Sequence, residues 1–77
     1  MSIEPKLHMH APPCYYIGQV RRRGARKWRT VTGKVKSPKS AAIRAIQAMG
    51  DEDKRMRVLM IATCGYYGPA IVMEASR

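Results

Sequence analysis

Four side chains of this chain could ligate a metal: His8, His10, Cys14 and Cys64. Two imidazoles and two thiolates would suit a tetrahedral zinc ion. The spacing H-x-H-x3-C is not a usual zinc pattern, and both histidines stand in a proline-bounded N-terminal segment. Solvated histidines and free thiols are therefore the expectation, and no metal or other cofactor is assigned. Two cysteines are also too few for a disulfide framework. Thr32-Gly33-Lys34 resembles the end of a phosphate-binding loop. That loop needs Gly where this chain has Trp28, and Ser or Thr where it has Val35, so it is rejected. Catalysis by a nucleophile needs a base within reach. The histidines sit near the N-terminus, and the five carboxylates are Glu4, Asp51, Glu52, Asp53 and Glu74. Nothing pairs with them into an active site, so the chain reads as a binding protein and not an enzyme.

The chemistry that remains is cationic. Arg21, Arg22, Arg23, Arg26, Lys27, Arg29, Lys34, Lys36, Lys39 and Arg44 fall in one window without a single Asp or Glu. The other five basic residues balance the five acids, so the net charge of +10 comes from residues 21–44. Lys and Arg neutralise phosphates and release counterions, which gives salt-dependent binding with little sequence preference. Trp28 and Tyr15, close by in sequence, could stack on unpaired bases. The same charges would also dock on an acidic protein surface.

These residues need elements to position them. Residues 1–13 are polar, carry Pro5, Pro12 and Pro13, and read as a flexible tail ahead of one domain over 14–77. From Cys14 the chain favours a strand, with Tyr15, Tyr16, Ile17 and Val20. Gly24-Ala25 predicts a two-residue type II′ hairpin turn, and Trp28 to Lys36 a second strand. Ser37-Pro38 is a helix start, Ser capping and Pro at the first helical position. The helix places Ala42, Ile43, Ile46 and Met49 on one stripe, and Gly50 ends it. Asp51 to Arg55 reads as a charged loop, Met56 to Thr63 as a strand buried on both faces, 64–69 as a turn whose Tyr66 and Tyr67 are either exposed anchors or a pair with one ring folded back onto the sheet, and Ala70 to Ala75 as the last strand.

The predicted fold is α+β, in the order β-β-α-β-β: a four-stranded antiparallel sheet with the helix on one face. The predicted hairpin register sets Val20 opposite Arg29 and puts cationic pairs, Arg22 with Lys27 and Arg23 with Arg26, at the tip. One face then holds Tyr16, Val20, Val31 and Val35, with Arg22, Lys27 and Arg29 near the tip. The other holds Tyr15, Ile17, Gln19, Arg21, Arg23, Arg26, Trp28, Thr30, Thr32, Lys34 and Lys36 for a partner.

The element order with a basic hairpin resembles small sheet-based DNA-binding modules, such as the arm-binding domains of phage-type integrases. Those usually carry three strands before the helix and share no diagnostic motif with this chain. Size and charge also resemble those of small phage or mobile-element accessory proteins, including inhibitors of host defence. The sequence thus predicts a small cytoplasmic protein without a membrane segment. Its expected partner is nucleic acid or an acidic protein, bound through Tyr15, Arg21, Arg22, Arg23, Arg26, Lys27, Trp28, Arg29, Lys34 and Lys36.

Overall fold

A computed structural model of the chain describes residues 14–63 and 68–77. The expectations for the tail, for His8 and His10, and for Cys64, Tyr66 and Tyr67 lie outside these residues. The fold is the predicted α+β arrangement. Strands β1 (Cys14–Arg22), β2 (Arg29–Thr30), β3 (Asp53–Ala62) and β4 (Ala70–Ser76) form one antiparallel sheet in the order β2-β1-β3-β4. Among the described residues one helix, α1 (Pro38–Ala48), packs on β1 and β3.

The start of α1 follows from its sequence. Ser37 is extended and its hydroxyl accepts the Ser40 N–H at 3.1 Å, with Pro38 in the first helical position. Such a cap is worth about 1 kcal/mol. At the other end Gly50 does not act as a left-handed cap. The helix closes at Met49, whose backbone is extended and whose N–H bonds Ile46 O at 3.2 Å.

The apolar stripe of α1 differs from the predicted one. Ala41, Ala42 and Ala45 are buried, with Met49 half-buried, whereas Ile43 and Ile46 are 46% and 54% exposed. The cause is Gly18. An ideal Cβ there would lie 2.8 Å from both Ala41 O and Ala45 Cβ. The helix backbone rests almost directly on β1, and only small side chains fit the contact. The larger isoleucines are rotated outward by that approach. Val20, Val35, Met56 and Val58 complete this core. Each fully buried valine stabilises the fold by about 1.5–3 kcal/mol.

The register Gln19↔Thr30 and Val20↔Arg29 matches the predicted pairing, but β2 is two residues long, not nine. At the loop end, Arg22 O accepts from Ala25 N–H at 3.1 Å, and Gly24 has φ +80°. Gly24 is thus the third residue of a turn over Arg22–Ala25, the position where a type II turn needs glycine, and not the first of a II′ pair. The predicted ladder of opposed cations does not form. Like charges facing one another weaken a sheet, and strand pairing with β2 starts only at Arg29.

At the other end, Thr32 leaves the ladder. Its hydroxyl accepts the Gly18 N–H at 2.8 Å and donates to Gly33 O at 2.9 Å. A side chain thereby replaces a strand carbonyl, and the chain regains β1 only at Val35, paired with Tyr16. This moves the register by two residues and leaves Val31 and Val35 on the helix side.

Asp53 is the second departure. The predicted solvated acid is 3% exposed and begins β3. A register shift at Arg21/Arg22 sets Asp53 opposite Arg22, on the face shared with Val20. Its carboxylate accepts from Arg29 Nη2 at 2.7 Å and from Gly50 N–H at 2.9 Å. The Arg77 guanidinium donates to the carbonyls of Asp53 and Gly50, closing the same turn. The Gly50 amide and the Arg29 cation hold the Asp53 pKa below its usual range, against the opposing effect of burial. The stability this carboxylate confers is therefore complete above the unfolded-chain value near 3.9, and is lost as pH falls through the lower folded-state pKa. Urea unfolding of Asp53→Asn should show a lower midpoint than the parent at neutral pH. The gap should narrow in strong acid, where the parent carboxyl is also neutral.

Candidate functional site

Gly18 and Val20 face α1, so Tyr15, Ile17, Gln19 and Arg21 point to the opposite side of β1. Their β3 partners are Ile61, Leu59, Arg57 and Arg55. No described element covers this face. It is basic at the β2 end and apolar along β1 and β3.

The basic end is built around Trp28. The Arg57 guanidinium lies 4.2 Å from the indole centroid and that of Arg21 lies 4.9 Å away. Gln19 fixes one of them: its side-chain oxygen accepts from Arg57 Nε at 2.8 Å, while its amide nitrogen donates to Thr30 Oγ1 at 3.0 Å. Arg57 is thus held by both a hydrogen bond and a ring, whereas Arg21 is held among the described residues by the ring alone. Arg55 reaches diagonally from β3 to Glu74 of β4, at 3.7 Å, Glu74 itself standing opposite Arg57 in the register. Further along, Lys34 Nζ sits 5.0 Å from the Tyr15 ring. Between the two rings lie Ile17 and Leu59. Leu59 is only 8% exposed, between its register partners Ile17 of β1 and Ile71 of β4.

The loop 23–28 carries the rest of the charge. Arg23, Arg26 and Lys27 are exposed. Among the described residues their side chains make no hydrogen bond or ion pair. The loop is tied down by the Trp28 ring against Arg21 and Arg57 and by backbone, through Ala25 N–H to Arg22 O and Arg23 N–H to Glu52 O at 3.3 Å. Arg22 approaches Glu52 at 3.9 Å, with both side chains largely in water, a pair worth little.

Of the residues singled out in the sequence, the structure groups Arg21, Trp28, Lys34 and Tyr15 on the open face and Arg23, Arg26 and Lys27 in the adjoining loop. Arg29 is elsewhere. It shares the face of Val20 and, although half-exposed, pairs with the buried Asp53 carboxylate. Lys36 is exposed beyond Val35. Arg57 and Gln19 were not singled out as site residues. The signal for Arg57 was the alternation Arg55-Met56-Arg57-Val58-Leu59, which reads as a strand with one charged side; Gln19 stands on the outer face of the predicted hairpin but was given no role. The expected two-sided apolar strand holds only for the Val58–Leu59 centre.

No group of three or more potential metal ligands occurs among the described residues, and Cys14 carries a free, exposed thiol. No described helix is long and apolar enough to cross a membrane. No protein-family model, curated protein or solved structure matches this chain.

Proposed function

We propose that this protein is a non-catalytic nucleic-acid-binding protein, and that loop 23–28 is its phosphate contact. The observation that carries this is the set of three exposed cations, Arg23, Arg26 and Lys27, without partners among the described residues. Arg29 shows the contrast: this half-exposed cation is given a buried carboxylate, Asp53, at 2.7 Å. A loop of uncompensated cations on a chain of net charge +10 opposes compactness through self-repulsion. A polyanion laid along it removes that cost and releases counterions.

Fluorescence anisotropy with labelled single- and double-stranded DNA and RNA, across a salt series, tests the reading. Three loop contacts, joined by Arg22, Lys34 and Lys36, predict a log–log slope between about −2 and −5, at 0.7–0.9 per phosphate. Absence of binding at low salt would reject nucleic acid and leave an acidic protein surface as the partner for the same loop.

A further inference from the structure

The open face of the sheet adds what a charged loop cannot, a surface for bases. We infer that the nucleic acid is single-stranded and lies across β1 and β3, with bases against Trp28 and Tyr15 and backbone towards the loop. This rests on the nucleic-acid reading above and names its substrate class.

Three observations favour a single strand over a duplex. First, a duplex-reading β-ribbon must enter the major groove as a projecting pair of strands. Here β1 is paired with β3 as far as Arg22↔Asp53, and β2 has two residues, so only a loop projects. Second, both rings share the uncovered face, each already beside a cation: Lys34 at Tyr15, Arg21 and Arg57 at Trp28. Rings and guanidinium planes set in a cationic groove are the combination that holds unpaired bases. Third, the strip between them is apolar, with half-buried Ile17 opposite the buried Leu59, and offers no charge to a phosphate.

The dimensions agree. The Trp28 cluster lies level with Gln19–Arg21, four to six residues along β1 from Tyr15. At roughly 3.3 Å per residue that is about 13–20 Å. A stacked strand rises roughly 3.4 Å per nucleotide, so the two rings are about four to six nucleotides apart. The ring of Trp28 has a movable neighbour. Arg57 is fixed by Gln19, whereas Arg21 can swing from the indole to a phosphate and leave its place over the ring to a base.

Trp28 is the sole tryptophan of the chain, so its own fluorescence reports the site. Oligo-dT and oligo-U of about ten nucleotides exceed the span of the face. Both should quench Trp28 on titration, and the stronger of the two identifies the DNA or RNA source. A matched duplex should bind at least about tenfold more weakly at the same salt and leave the emission nearly unchanged. Tyr15→Ala should weaken the single-strand complex about 5- to 100-fold, and Tyr15→Phe should restore it. The quench needs no variant, so a misfolded mutant cannot mask the result. Equal or tighter duplex binding, or single-strand binding without quench, would overturn the face while leaving the cationic loop standing. Failure of every nucleic acid to bind would overturn both.

Discussion

Replacing Arg23, Arg26 and Lys27 together by Gln should cut nucleic-acid affinity by roughly two to three orders of magnitude at about 0.1 M salt. The estimate follows from counterion release. Each lost phosphate contact removes about 0.7–0.9 from the log–log salt slope, so each is worth about five- to eightfold at that salt. The loss should shrink as salt rises and vanish near 1 M, where the electrostatic contribution is gone. Stability should move the other way, if at all. These side chains have no partners among the described residues, and surface changes of this kind stay within about 0.5 kcal/mol. Removing three charges from +10 leaves +7 and lowers self-repulsion. Arg29→Gln is the counterpart. It strips the cation from the buried Asp53 carboxylate, so its urea midpoint should fall, while the salt slope of the folded protein changes little. If Arg29→Gln lowered the slope as much as a loop substitution, the division between loop and clamp would be wrong.

That division was only half legible in the sequence. Ser37-Pro38 announced the helix because the cap and the proline act locally, within three residues. The Val20↔Arg29 pairing was read from a Gly24-Ala25 turn; the turn differs, but the same pairing stands, with Val20 in the core. Arg29 was not separable from its neighbours, because its role is set by Asp53, 24 residues away. Asp53 itself stood in an acidic triplet that resembles a solvated loop. What distinguishes it is a register shift that turns it inward, and shifts of one residue leave no mark on composition. Thr32 is similar. Its hydroxyl replaces a backbone acceptor for Gly18 N–H, and any hydroxyl on a strand could have been assigned to the surface. Arg57 was hidden by arithmetic. Counting charges balanced it against the acids, whereas in the fold it belongs to Trp28 and Gln19.

The open face depends on the closed one, and Gly18 sets both. Gly18→Ala should be among the most damaging conservative changes in this chain. The new methyl would sit 2.8 Å from Ala41 O and Ala45 Cβ and 3.1 Å from Thr32 Cγ2, where carbon contacts settle at roughly 3.5–4.0 Å. Two of these three neighbours belong to α1, one of them backbone, so α1 must lift off β1 and loosen the contacts around Val20 and Val58. Such overpacking costs about 1–3 kcal/mol. A domain of this length has a total stability of only about 4–11 kcal/mol. At roughly 4–8 °C per kcal/mol, Tm by circular dichroism should drop by about 4–24 °C, and Gly18→Val should leave little folded protein. Ala45→Gly in the Gly18→Ala background removes one of the clashing atoms but not the Ala41 carbonyl. It also places a glycine in the helix at a cost of about 1 kcal/mol. Partial rescue is therefore expected, with a favourable coupling of about 0.5–3 kcal/mol in the double-mutant cycle. Strict additivity of the two changes would mean that β1 and α1 are not in direct backbone contact at Gly18. The adjacent residues Ile17 and Gln19 face the other way, so the folded fraction of Gly18→Ala should bind single strands as the parent does. A loss of affinity beyond the loss of folded protein would show that the helix-side packing also sets the geometry of Gln19, Arg57 and Trp28.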